Sequence, residues 1–284
     1  MSSSGDTRQH GKVFNTIAND YHRSRPGYPD ALVDRAVSGL SAGAHVLEIG
    51  CGSGQLTRSL LARGLTVTAI DPGENLLELA RINLGDSPDI TFIQSRLEDA
   101  VLPQGGYEAV FSASAFHWTD PDVSWQIVAD ALMPGGRFGL IGHVGVDDPY
   151  DAEDRAAVLT SVRAVSPAIA AEWPVNRTLS EMSTGAQDRK TNISELWSWL
   201  VTRDMARDHV TDLFGDASLA AIPVQIEQSA ATLNALLSTM SFWSRLDRAG
   251  QQRIADDNVA LEARLQRKLR GSVAVTLVTA EHRT

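Results

Sequence analysis

The chain has 284 residues, which is enough for one large domain, or for a domain with a helical cap, and for a sizeable buried core. Its formal net charge of −10 argues against a nucleic-acid partner, because a phosphate backbone requires a basic face. The single cysteine, Cys51, excludes an internal disulfide and suits a reducing compartment. No apolar run approaches the roughly 20 residues of a membrane span, and the polar start of the chain lacks the apolar core of a signal peptide, so we expect a cytoplasmic protein.

The first part of the chain predicts an arm followed by two helices. Residues 1–11 are polar and are expected to be flexible. Residues 12–25 predict a helix, because apolar and aromatic residues recur at helical spacing before Pro26 ends the pattern. Residues 30–40 predict a second helix with the same kind of spacing.

From residue 45 onward, strands and helices alternate, which is typical of a parallel sheet with helices on both faces. The predicted strands of this part are 45–50, 66–70, 90–94, 107–112 and 137–143. The predicted helices are 55–63, 74–83 and 122–132. Gly64, Gly85 and the Pro134-Gly135-Gly136 triplet mark helix ends and turns.

The alternation stops near residue 145. Residues 146–214 contain helical patterns and three tryptophans but no clear strand, whereas 221–228 and 272–280 alternate as strands do, with two helices between them. We therefore divide the chain into the arm, a core with an N-terminal helical lid over 12–145, a helical region over 146–214, and the remainder of the core over 215–284.

The most specific local pattern is VLEIGCGSGQLT, residues 46–57, together with TVTAIDPG, residues 66–73. A buried strand ends at three alternate glycines, Gly50, Gly52 and Gly54, which allow a sharp turn and the close approach of a ligand. The next strand ends at Asp71, whose carboxylate can accept two ribose hydroxyls. A dinucleotide fingerprint would place another glycine at position 55 to receive a pyrophosphate, but that position holds Gln55. The pattern therefore predicts an adenosine ligand without phosphates, which S-adenosylmethionine satisfies.

At this point the chain resembles the class I S-adenosylmethionine-dependent methyltransferases of the small-molecule type, such as the trans-aconitate and ubiquinone-biosynthesis enzymes. Four stretches carry the resemblance from about residue 14 to 145: FNTIANDYHRSRPGYP (14–29), EIGCGSG (48–54), SASAFHWTDP (112–121) and ALMPGGRFGL (131–140). The resemblance implies a doubly wound, Rossmann-like α/β sheet of seven strands, six parallel and one antiparallel. In such a sheet the last two strands form a hairpin beside the fifth, and residues 146–214 would be an inserted helical cap.

The resemblance also implies a set of cofactor-binding residues, with S-adenosylmethionine as cofactor and S-adenosylhomocysteine as product. Arg25 would pair with the cofactor carboxylate, Asp71 would bind the ribose, and Leu97 would pack on the adenine. The full expected set is Tyr21, Arg25, Glu48, Gly50, Gly52, Gly54, Gln55, Asp71, Pro72, Arg96, Leu97, Ser112, Ala113 and His117. Glu98 is open to two interpretations, as an adenine contact or as a capping or solvated acid.

Methyl transfer from a sulfonium is an in-line displacement, which needs positioning and exclusion of water but no covalent protein intermediate. His117 and His143 follow or end the fourth and fifth strands, where open α/β sheets bind ligands, and either could act as a general base. Tyr21 could cover the methyl group or the acceptor. The histidines have no metal-ligand spacing, so we expect no metal.

For the methyl acceptor, the sequence predicts only a chemical class. Phe14, Phe116, Trp173 and Trp197 could line an aromatic pocket for a small apolar or aromatic metabolite, although core packing explains the tryptophans equally well. A secondary metabolite is one such acceptor, and methylation of an alkene carbon coupled to cyclisation is an alternative. The remaining alternatives are a nicotinamide-dependent oxidoreductase, which Gln55 disfavours, a non-catalytic adenosine-binding regulator, and a nucleic-acid methyltransferase, which the charge disfavours. The N-terminal arm and the helix over 12–25 could exchange between subunits, which would form a homo-oligomer.

Overall fold

The computed structural model describes residues 27–173, 175–238, 240 and 242–283. The predicted arm, the predicted helix over 12–25 and three expected site residues, Phe14, Tyr21 and Arg25, lie outside the described residues.

The described chain is built on one seven-stranded sheet. Its strands are β1 (His45–Ile49), β2 (Thr66–Asp71), β3 (Ile90–Gln94), β4 (Tyr107–Ala113), β5 (Leu132–Gly145), β6 (Ser218–Gln228) and β7 (Leu269–Glu281). Their order across the sheet is β3-β2-β1-β4-β5-β7-β6, and only β7 runs antiparallel to its neighbours. The predicted sheet of six parallel strands and one antiparallel strand is thereby confirmed.

Strand β5 begins five residues earlier than predicted. Tyr107 of β4 pairs with Leu132, but Ala109 already pairs with Arg137, so the predicted Pro134-Gly135-Gly136 turn forms an irregularity inside the ladder. Extra residues on one strand of a hydrogen-bonded pair bend that strand. Here the bend in β5 leads the chain from the preceding helix into the sheet.

Helices follow most strands. In the first half they are α1 (Asp30–Ala36), α2 (Gln55–Leu61), α3 (Glu74–Leu84) and α4 (Pro121–Ala131). In the second half they are α5 (Ala152–Val165), α6 (Pro167–Ala171), α7 (Leu179–Asp188), α8 (Ile193–Val201), α9 (Val210–Leu213), α10 (Ala230–Ser238) and α11 (Arg248–Leu265). The predicted helices of the first half are found, with ends that differ by one to four residues. None of the helices in the described residues is long and apolar enough to cross a lipid bilayer.

Two hydrophobic layers enclose the sheet. Helices α1, α2 and α3 cover one face, where Leu32 and Leu56 pack with residues such as Ile141. Helices α4, α7 and α8 cover the other, where Trp125 and Trp197 are fully buried. Burying one large apolar side chain contributes roughly 1.5–3 kcal/mol, so these layers supply most of the driving force that holds the sheet.

The helices after β5 fall into two groups that do not follow the order of the chain. Helices α7 and α8 pack on the sheet, whereas α5 and α6 share a separate hydrophobic cluster with α10 and α11, formed around Val162, Ile169, Leu237 and Ile254. The helical cluster is therefore assembled from residues on both sides of the predicted boundary at 214. The division into 146–214 and 215–284 stays a prediction.

Candidate functional site

The glycine loop between β1 and α2 turns through three residues with positive φ. Gly50, Gly52 and Gly54 have φ values of 69°, 54° and 84°, a conformation that residues with a side chain rarely adopt. A Cβ on Gly50 would lie 2.2 Å from the Cβ of Ala115, and a Cβ on Gly54 would lie 2.8 Å from Leu84 Cδ1. A Cβ on Gly52 would meet no atom of the described residues within 4 Å. Packing therefore requires a glycine at position 50, positive φ favours one at position 54, and Gly52 leaves a surface of the loop that the described residues do not cover.

Asp71 lies at the end of β2, directly beside this loop. The backbone N–H of Gly52 donates to its Oδ2 at 2.9 Å, and that of Gly73 donates to its Oδ1 at 2.8 Å. Burial raises the pKa of Asp71, while the two backbone hydrogen bonds lower it. Each carboxylate oxygen has a further lone pair, so Asp71 can still accept hydrogen bonds from a ligand.

Glu48, an expected cofactor-binding residue, is buried beneath the glycine loop. Its side chain is only 1% exposed, and Thr57 Oγ1 donates to its Oε2 at 2.6 Å. Desolvation raises the pKa of Glu48 to about 8. Because the carboxyl group is sealed under the loop, it joins α2 to β1 and does not present an open contact to a cofactor.

The loop also contains Cys51, which is buried and free. Burial raises the pKa of its thiol well above the ordinary value, as expected for a small packing residue. The N–H groups of Gly50 and Cys51 donate to the carbonyl of Ile70, at 2.8 and 3.1 Å, which ties the loop to the end of β2.

The corner after β3 contains Arg96 and Leu97. Leu97 is buried in the core of the sheet, and the exposed Arg96 side chain lies 3.3 Å from Glu98. Glu98 Oε1 accepts from the backbone N–H of Asp120 at 2.7 Å, so its capping interpretation fits the structure. Pro72 is exposed beside Asp71.

The carboxyl end of β4 contains Ser112 and Ala113, two expected cofactor-binding residues. Ser112 is fully buried, and its Oγ donates to the carbonyl of Ile49 at 2.8 Å, which ties β4 to β1. Ala113 is half-buried. Ser114, which the sequence analysis missed, has a φ of 54°, in the left-handed region that costs energy for a residue with a side chain. Serine is not a typical residue for that conformation, so the sequence contains no signal for it.

The predicted aromatic pocket residue Phe116 belongs to the core. It is fully buried, and its ring centroid lies 4.7 Å from that of Trp125 and 5.1 Å from that of Phe138. This burial favours a core role for Phe116, and its predicted contact with the acceptor stays a prediction.

His117, the next residue, is half-buried at the carboxyl edge of the sheet. Its ring centroid lies 4.9 Å from that of Trp118 and 6.4 Å from that of Trp197. His117 lies on the short 3₁₀ turn Phe116–Trp118, shortly after β4, and aromatic rings are close to its imidazole.

His143 lies on the other face of β5. A Cβ on the preceding residue, Gly142, would be 3.1 Å from Trp197, and successive residues of a strand point to opposite faces. The ring of His143 lies 5.3 Å from that of Tyr28, which packs on the α1 side. The two candidate bases are thus on different faces of the sheet.

The two tryptophans predicted for the acceptor pocket have different surroundings. Trp197 is fully buried between α8 and the sheet, which favours core packing, and its predicted acceptor contact stays a prediction. Trp173 is half-buried in the helical cluster, with its ring 5.1 Å from that of Phe242. The acceptor-binding role of Trp173 stays a prediction. Within the described ranges, no group of three or more His, Cys, Asp or Glu residues could hold a metal ion.

Comparison with known proteins agrees with this geometry. Residues 46–136 match the family described as Methyltransferase domain. An uncharacterized methyltransferase of Mycobacterium tuberculosis is 37% identical over 128 residues, which cover 45% of this chain and 51% of the relative. A ubiquinone biosynthesis O-methyltransferase of Xanthomonas oryzae is 36% identical over 102 residues, which cover 35% of this chain and 43% of the relative. The chain therefore spans about half the length of the curated relatives it matches.

A solved structure shows the same fold over a larger part of the chain. A candidate type II methyltransferase of Anaeromyxobacter dehalogenans superimposes with a TM-score of 0.58 and 23% identity, covering 90% of this chain and 97% of that one. Taken with the seven-stranded sheet, the matches show that the chain has a Rossmann-like methyltransferase fold, and residues 46–136 are the part that matches the Methyltransferase domain.

Proposed function

We propose that this protein transfers a methyl group from S-adenosylmethionine to a small-molecule acceptor. The observation that carries the proposal is the open surface at Gly52, which lies beside the carboxylate of Asp71 at the carboxyl end of the sheet. The space beside the Gly52 backbone can hold an adenosine, and the neighbouring Asp71 carboxylate can accept hydrogen bonds from its two ribose hydroxyls.

The described residues fit the cofactor. The glycine loop and Gln55 would face its amino-acid part, Asp71 would accept from the ribose, and Pro72, Arg96 and Leu97 would surround the adenine. Ala113 and His117 would lie near the reactive end, and Tyr21 and Arg25 of the N-terminal region would complete the site. When bound, S-adenosylmethionine supplies an electrophilic methyl group on a sulfonium.

The residues of this chain then have three tasks: holding the two reactants in line, excluding water, and accepting a proton. For a hydroxyl or amine acceptor we assign the base to His117, because it lies beyond the end of β4 at the sheet edge. His143 lies within β5, two residues before its end, and beside Tyr28, which makes it the weaker candidate.

The acceptor is proposed to be small and largely apolar or aromatic. The net charge of −10 supports a metabolite over a nucleic acid, and the ring of Trp118 beside His117 supplies an aromatic surface. The relative in Xanthomonas oryzae is a ubiquinone biosynthesis O-methyltransferase, which supports an oxygen acceptor. The buried, free Cys51 supports action in the reducing cytoplasm.

Calorimetric titration tests the proposal, with S-adenosylhomocysteine as the ligand and NADH as the control. We expect S-adenosylhomocysteine to bind with a Kd in the micromolar range, about −8 kcal/mol, and NADH not to bind. Binding of NADH alone would assign the loop to an oxidoreductase and contradict the proposal, and binding of neither ligand would contradict it as well.

A further inference from the structure

Arg177 lies beside the carboxyl end of β5. It forms a parallel bridge with Val146, and its backbone N–H donates to the carbonyl of Gly145 at 3.5 Å. Its own carbonyl accepts from the N–H of Asp147 at 2.9 Å. Because open α/β sheets bind ligands at the carboxyl ends of their strands, Arg177 is anchored at the edge that also holds Asp71 and His117.

The guanidinium of Arg177 stacks on Trp199. Its Cζ atom lies 4.3 Å from the ring centroid, and the residue is half-buried. The attraction between the cation and the ring face holds the guanidinium at this position. The side chain is thus held in place without using its hydrogen-bond donors.

Those donors have no acceptor within the described part of the chain. Every other half-buried arginine there has a carboxylate or a carbonyl partner. Arg63, Arg155, Arg207, Arg267 and Arg270 pair with carboxylates, and Arg137 and Arg189 donate to backbone carbonyls. Arg177 is the exception, although a partly buried charge without a partner is costly.

A second cation increases this cost. Arg189 lies over the same ring, with its Cζ 4.8 Å from the centroid of Trp199. Burial, and after it the charge of Arg189, lower the pKa of Arg177. The charge of Glu181 raises the pKa of Arg177. The Glu181 carboxylate is exposed, however, and it accepts hydrogen bonds from the backbone N–H and the hydroxyl of Thr178. Positive charge is thus concentrated at this point of a chain whose net charge is −10.

We propose that Arg177 binds an acidic group of the methyl acceptor, either a carboxylate or a phosphate. A guanidinium held over a ring face, with donors that no described residue uses, is suited to bidentate recognition of such groups, and one acidic group would offset part of the positive charge of Arg177 and Arg189 beside Trp199. The acceptor would then be amphiphilic, with an apolar body towards His117 and Trp118 and an acidic end at Arg177. The inference rests on the proposed methyl transfer and specifies its substrate class.

The test uses the full chain saturated with S-adenosylhomocysteine and titrated with three probes of similar shape. Benzoate carries a carboxylate, phenyl phosphate carries a phosphate, and benzamide is neutral. We expect at least one acidic probe to bind about 10-fold more tightly than benzamide, which corresponds to about 1.4 kcal/mol. Which acid binds more tightly distinguishes a carboxylate from a phosphate acceptor.

Three variants test whether Arg177 causes the preference for acidic probes over benzamide. Arg177→Gln is expected to bind acid and amide equally, and Arg177→Lys to keep part of the preference, because it keeps the charge but loses the planar fork. Arg189→Gln is the matched control: it removes a cation from the same ring, but one whose guanidinium already has the Gly185 carbonyl as a partner. We expect this control to keep most of the preference.

The outcomes separate this inference from the proposed function. Failure of S-adenosylhomocysteine to bind the wild type would contradict the proposed function itself. If it binds, then equal affinity for acid and amide, no binding of any probe, or an unchanged preference in Arg177→Gln overturns the role of Arg177 alone. Thermal unfolding of each variant shows whether the fold is kept, and Arg177→Lys decides the question should the glutamine variant not fold.

Discussion

The two sides of the candidate site are built in different ways. The cofactor side is a backbone surface, made by the glycine loop and the end of β2 within residues 46–73. The acceptor side is a side-chain surface, assembled from the turn after β4, the end of β5 and residues near the carboxyl end of α8.

This difference explains what each side can specify. The backbone surface depends on three positive φ values and on the packing of Gly50 against Ala115, so it changes only if the loop refolds. The acceptor surface depends on separate side chains such as His117 and Arg177, each of which can be replaced while the sheet stays intact. We therefore expect substitutions on the two sides to separate cofactor affinity from turnover and acceptor preference.

The largest expected effect is on the acceptor side. With an acceptor supplied by a screen of small phenols and amines, His117→Asn should lower turnover by about 10²- to 10⁴-fold, because the general base is lost. S-adenosylhomocysteine affinity should stay within a few-fold of the wild type, as calorimetry can verify. His143→Asn should cause a smaller loss; the reverse ranking would move the base to the other face of β5.

Phe116→Ala tests whether the Phe116 ring belongs to the hydrophobic core or to the acceptor side. Because the ring is fully buried against Trp125 and Phe138, the substitution should lower the free energy of unfolding by about 3–5 kcal/mol in urea denaturation. Phe116→Leu, which keeps much of the volume, should cost less. A raised KM for the acceptor with unchanged stability would restore Phe116 to the acceptor pocket.

The third expected effect depends on pH and concerns Glu48, on the cofactor side. Its folded pKa of about 8 lies above the ordinary value of 4.5, so the folded state binds a proton that the unfolded state releases between these pH values. Stability from this group is therefore fully present below about pH 4.5 and is lost as the pH rises towards 8.

Urea denaturation of the wild type and Glu48→Gln at several pH values measures this loss. Relative to the variant, the wild type should lose up to about 1.4 kcal/mol per pH unit within that window. Parallel stability curves for the two proteins would show that the Glu48 carboxyl is ionised in the folded state and in contact with solvent or a cation.

The sequence predicted the cofactor side more completely than the acceptor side. Alternate glycines and the strand-ending Asp71 are local signals, because the backbone conformation that they allow is the site itself. The burial of Phe116 and Trp197 could not be predicted, because an aromatic side chain near a strand end has the same pattern whether it turns towards the core or towards a ligand. The buried partners of Glu48 and Ser112, which are Thr57 and the Ile49 carbonyl, are likewise not visible in the motif.

Long-range packing was also outside the reach of local patterns. The cluster that joins α5 and α6 to α10 and α11 brings together segments that are about 70 residues or more apart, so no local periodicity predicts it. The unpaired guanidinium of Arg177 is likewise a property of its neighbours and not of its position in the chain.

The most direct test of the account compares two glycine substitutions of similar backbone strain. Gly52 and Gly105 have φ values of 54° and 59°, and a Cβ on either would meet nothing within 4 Å. Gly52 faces the proposed adenosine site, whereas Gly105 precedes β4 at the opposite edge of the sheet. Calorimetry should show that Gly52→Ala weakens S-adenosylhomocysteine binding by about 100-fold, or about 2.7 kcal/mol, while Gly105→Ala binds as the wild type does. Equal affinity in the two variants would contradict the claim that the cofactor lies against the glycine loop.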